Sequence, residues 1–99
     1  MNTEELKETI ADSDGELTAT DLLYEAMPKA PERFERLTNN LAKLLTEVRE
    51  HFPEARYYTC GGDGFGLVLG ETHSGKYDKD NSELLAITAS KLTVTGGTW

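Results

Sequence analysis

Between Pro31 and Phe52, six large apolar residues recur at intervals of three and four: Phe34, Leu37, Leu41, Leu44, Val48 and Phe52. That spacing places them on one face of an α-helix, with Leu45 widening the stripe. Arg33, Glu35, Arg36, Asn40, Lys43, Glu47 and Glu50 fall largely on the opposite, wet side. No other segment is as long or as strongly periodic, so the remaining elements are placed by asking what covers this helix.

The ends of the segment agree with it. Pro31 suits a first helical turn, where its missing N–H has no partner to lose. Glu32 and Glu35 meet the positive end of the helix dipole, while Arg49 and His51 stand near the negative end. Pro53 stops the helix and biases Phe52 toward extended backbone. Burial is worth roughly 1.5–3 kcal/mol for each large apolar side chain. Backbone ordering costs roughly 1–2 kcal/mol per residue. A covering layer is therefore expected.

With 99 residues the chain has the length of one small domain spanning 1–99. Eight aromatics support a modest core and argue against full disorder. No apolar run nears the roughly 20 residues of a membrane helix. The opening Met1-Asn2-Thr3-Glu4-Glu5 lacks the basic and apolar parts of a signal peptide, so a cytoplasmic location is expected. Cys60 is the sole cysteine, which excludes an internal disulfide.

Charge is segregated. Of the formal net charge of −8, residues 1–25 supply eight acids against Lys7 alone: Glu4, Glu5, Glu8, Asp12, Asp14, Glu16, Asp21 and Glu25. The rest of the chain is nearly balanced. No basic face suited to displacing counterions is evident, so direct nucleic-acid binding is not expected. An acidic surface docking on a basic protein is. Acidic DNA-mimicking inhibitors share this charge sense, as a likeness of composition.

Along the chain, Thr3 is placed as N-cap of a short first helix carrying Leu6 and Ile10, with residues 1–17 the segment most prone to fray. Asp12-Ser13-Asp14-Gly15 breaks that helix. A second helix is expected over 18–27, with Thr18 and Asp21 at capping-box spacing. After Pro53 the period changes from 3.6 to 2. Residues 56–60 read as a strand, 61–64 as a glycine-rich turn, and 65–71 as a second strand. Thr72 to Ser82 reads as a polar loop, and Leu84 to Thr95 as a strand, with a helix over 83–92 as its alternative. Apolar positions switch from odd to even near Ala89-Ser90-Lys91, so a bulge or tight turn is expected there. Residues 96–99 read as a flexible tail. The expected fold is α+β: two short helices and one long amphipathic helix packed on a three- to four-stranded antiparallel meander.

Several stretches invite a chemical reading. Asp12, Asp14, Gly15, Leu17, Thr18 and Asp21 stand at the spacing of a calcium loop. Residues 10–21 thus resemble an EF-hand, which implies metal ligation by Asp12, Asp14 and Asp21. Two departures stand against it: Ile10 occupies the first ligand position, and the short Asp21 replaces the bidentate glutamate. Without metal, the same residues make a helix–turn–helix corner with Gly15 in a left-handed turn.

Gly61-Gly62-Asp63-Gly64-Phe65-Gly66 resembles the glycine-rich loop of protein kinases, except that Asp63 stands where that pattern has its second glycine. The simpler reading is a glycine-rich hairpin turn. Cys60 with His51 or His73 has the composition of a nucleophile–base pair, but nothing in the spacing brings them together. His73, Asp78 and Asp80 match no zinc spacing.

The preferred functional expectation is a small acidic, non-enzymatic protein-interaction module, accessory, regulatory or inhibitory, with no cofactor. Its candidate partner-binding residues are Glu4, Glu5, Glu8, Asp12 and Asp14, together with an outward Tyr58 and the terminal Trp99. Open sheet edges make a homodimer a further expectation. The alternative is a small metal- or ligand-binding domain using the 10–21 loop, the 61–66 hairpin or the 72–82 loop.

Overall fold

A computed structural model describes residues 1–59 and 64–95 and is α+β. The chain divides into two compact units, Met1–Asn40 and Leu41–Trp99, with the boundary inside the long helix.

The first unit holds α1 (Thr3–Asp12), α2 (Ala19–Ala26) and the beginning of α3 (Ala30–Arg49). Asn2, one residue earlier than expected, caps α1. Its Oδ1 accepts from the Glu5 N–H at 2.9 Å, and the Glu5 carboxylate accepts from the Asn2 N–H in return. Thr18 caps α2 as its spacing predicts, exchanging bonds with Asp21 at 3.0 and 3.2 Å. The corner between the two helices turns on Ser13. Its hydroxyl donates to the Ile10 carbonyl at 2.7 Å and accepts from the Leu17 N–H at 3.0 Å. Asp14 and Gly15 follow with φ of 53° and 84°, a left-handed pair that reverses the chain.

The second unit begins with the last turns of α3, where Leu41, Leu45 and Val48 are half-buried. After α3 the backbone tightens through Phe52 N–H to Val48 O and Ala55 N–H to Phe52 O, and Ala55 is fully buried. Strands β1 (Arg56–Tyr58), β2 (Gly66–Val68) and β5 (Leu85–Thr88) form an antiparallel sheet in the order β1-β2-β5. All three residues of the central strand β2 are buried. Leu67 pairs with Ile87 and Val68 with Leu85, so Ala86 is the extra residue of a bulge.

Three further expectations need correction. The apolar stripe of α3 is not covered along its length: Phe34 is 71% and Leu37 61% exposed. The 72–82 segment is not a plain loop but a short antiparallel hairpin, β3 (His73–Ser74) with β4 (Lys79–Asp80), inserted between β2 and β5. A 3-10 turn, Ser82–Leu84, then leads into β5, where residues 85–88 are strand, the preferred reading of this segment over its helical alternative. The last strand ends at Thr88, and a turn follows, closed by the Leu92 N–H to the Ala89 carbonyl. The tight turn lies where the register argument put it, while the bulge sits earlier.

Candidate interaction site

Leu6 and Ile10 lie one helical turn apart on α1. Ala19, Leu22, Leu23 and Ala26 carry the apolar side of α2. These side chains, with Met1 and Glu25, line one cleft of about 650 Å³ in the first unit. Its walls are apolar and open to solvent, with Leu6 38% and Leu23 43% exposed. A cleft of this character fits an apolar strip from another molecule.

The charges around it have an order set by helical geometry. At about 100° per residue, Glu5 and Asp12 fall together on one side of the Leu6–Ile10 stripe, about 120° and 140° from its centre. Glu25 lines it directly. Glu4 lies about 140° away on the other side of the stripe and Glu8 opposite it, so these acids act on the cleft through their field. Both helices also end badly: neither α1 nor α2 has a basic residue in its last turn, where Asp12 and Glu25 stand instead. Carboxylates at the negative end of a helix dipole are destabilising by about 0.3–1 kcal/mol each. A cation brought near Asp12 or Glu25 relieves that repulsion.

The residues singled out in the sequence are distributed as follows. Glu4, Glu5, Glu8, Asp12 and Asp14 are exposed and share α1 and its following turn. Glu5 serves the Asn2 capping box, and Asp21 that of Thr18, accepting from both the Thr18 N–H and its hydroxyl at 3.0 Å. Among the described residues, no three His, Cys, Asp or Glu side chains converge as a metal site. Tyr58 belongs to the second unit, away from the α1–α2 cleft in sequence and in element. Trp99, Cys60 and Asp63 lie outside the described residues.

The second unit has a cleft of its own, of about 400 Å³. Adjacent strand residues point to opposite faces, and the two tyrosines of β1 do so. Tyr57 meets Phe65 edge-on at 5.4 Å on the α3 side of the sheet, beside Leu41 and Leu44. Tyr58 stands on the other side with Val68 and Leu85, facing the β3–β4 hairpin. There the His73 ring lies 6.4 Å from the Tyr58 ring, nearly perpendicular at 83°. Asp80 is directly opposite His73 across the hairpin.

Asn81 braces this corner. Its Nδ2 donates to the Glu71 carbonyl and to the Ser74 hydroxyl, both at 2.9 Å, and its backbone N–H donates to the Thr72 carbonyl at 2.8 Å. Sequence reasoning did not assemble this cleft. Its signal was a polar 72–82 segment with a histidine and an aspartate seven residues apart, which meet only once the hairpin register is known.

No protein-family model matches the chain, and neither curated proteins nor solved structures give a significant match.

Proposed function

We propose that the chain is a non-enzymatic protein-interaction module whose N-terminal helix pair binds a basic amphipathic segment of a partner protein. The observation that supports this reading is the apolar α1–α2 cleft lined on one side by Glu25, a carboxylate that, like Asp12 at the end of α1, has no basic residue beside it in its helix's last turn. A helix with one apolar stripe and flanking Lys or Arg fills the cleft with the former and meets these acids with the latter. The excess of acid over residues 1–25 raises the encounter rate with such a segment, an effect weakened by salt.

A designed leucine–lysine amphipathic peptide is a sufficient probe. Titration calorimetry should show binding at low salt that weakens at high salt. Asp12→Asn with Glu25→Gln should reduce affinity at low salt, and Leu23→Ser should reduce it at both. An affinity indifferent to all three changes would remove the reading. Self-association is a separate proposal. It rests on β1 and β5 forming the edges of the three-stranded sheet among the described residues, and sedimentation of the chain alone tests it.

A further inference from the structure

The cleft of the second unit has a chemistry different from that of the N-terminal groove. Tyr58 and His73 form two nearly perpendicular aromatic walls, Val68 and Leu85 an apolar floor, and Asp80 an acidic side. Lys79, next in sequence to Asp80, lines a neighbouring cleft with Ser74, Asp80, Asn81 and Glu83 and is absent from the lining of this one. Among the described residues the lining thus offers two aromatic rings and a carboxylate, with no lysine or arginine. Among the described residues an anion finds no lysine or arginine there.

An alkylated ammonium ion answers every wall. Its charge is spread over methyl groups that pack on apolar surface, ring faces attract it, and the carboxylate supplies the counter-charge. The site is also held in advance of any ligand. Asn81 ties Thr72, Glu71 and Ser74 together, and the Ser82 N–H donates to Asp80 Oδ1 at 3.3 Å, which orients that carboxylate. About 400 Å³ lies within the range of small-ligand sites.

We propose that the cleft bounded by Tyr58, His73 and Asp80 is a binding site for a small organic ammonium ion, such as a quaternary amine head group. This goes beyond the interaction reading and does not depend on it, because the α1–α2 cleft belongs to the other unit.

Choline and its uncharged carbon analogue 3,3-dimethyl-1-butanol are the probes, titrated into the whole chain while amide and aromatic NMR shifts are followed. Choline should move the resonances of Tyr58, His73, Val68 and Leu85, and the carbon analogue should bind about 3- to 30-fold more weakly, the span expected of a cation over aromatic faces. Asp80→Asn and Tyr58→Ala should each weaken choline severalfold, and Tyr58→Phe, which keeps the ring, should retain it. Tetramethylammonium should compete with choline, separating recognition of the head group from recognition of the alcohol. Equal binding of the two probes, shifts confined to other residues, or no saturable shift with choline would overturn the proposal. The neutralised Asp12 and Glu25 variant should bind choline as the unaltered chain does, so that failure of the interaction reading leaves this result separately legible.

Discussion

The phenol of Tyr57 donates a 2.7 Å hydrogen bond to the backbone carbonyl of Leu41, joining β1 to the last turns of α3. The carbonyl lies in mid-helix, so this is an added bond to a group already inside a helical ladder. Removing the hydroxyl with Tyr57→Phe should cost about 0.5–1.5 kcal/mol in a urea titration, the usual net worth of such a bond.

The same contact carries a pH signature. Burial raises the Tyr57 hydroxyl above its ordinary value of 10.0. The folded chain thus favours the protonated phenol, and this contribution is fully present below the unfolded value. Stability should fall as pH climbs past the unfolded value through the raised one. Tyr57→Phe should lose that alkaline slope, which denaturant midpoints measured at increasing pH will show.

Gly64 has φ of 91°, and a Cβ built on it collides with the Ala89 carbonyl. Gly75 has nearly the same φ, 86°, with open space around it. Gly75→Ala should therefore cost only the left-handed penalty of about 1–2 kcal/mol. Gly64→Ala should cost distinctly more, because the Ala89–Leu92 turn must also move. Comparing the two midpoints separates backbone strain from steric collision.

Asn81 replaces a longer ladder in the β3–β4 hairpin. Asn81→Ala removes both Nδ2 bonds, a loss of about 1–3 kcal/mol if each counts as an ordinary hydrogen bond. Amide exchange should accelerate at residues 72–82 while β2 keeps its protection. Uniform acceleration through β2 would show instead that the hairpin and the sheet open together.

The parts legible in the sequence are those fixed by neighbours. Thr18 and Asp21 stand three apart and cap as that spacing requires, and Pro31 and Pro53 bracket α3 from within a few residues. Tyr57 and Tyr58 face opposite ways because a strand has period two.

What was not legible depends on partners distant in sequence. Each strand of the β3–β4 hairpin is two residues long, too short for any alternation, and is held by the Asn81 side chain. The bulge at Ala86 follows from how β5 meets Leu67 and Val68, not from its own pattern. Exposure of Phe34 and Leu37 contradicts the rule that a periodic apolar stripe is covered, and such stripes are also how chains meet partners. The apolar cleft was half visible: Leu6 with Ile10 and Leu22 with Ala26 are helical pairs, but their sharing one cleft is tertiary.

The most direct test of the interaction account is a chemical-shift map of the chain titrated with the leucine–lysine peptide. The account predicts perturbations concentrated at Leu6, Ile10, Leu22, Leu23 and Ala26, fading as salt is raised. Shifts spread evenly over the acidic surface, or centred on the exposed Phe34 and Leu37, would contradict it and assign the recognition surface elsewhere.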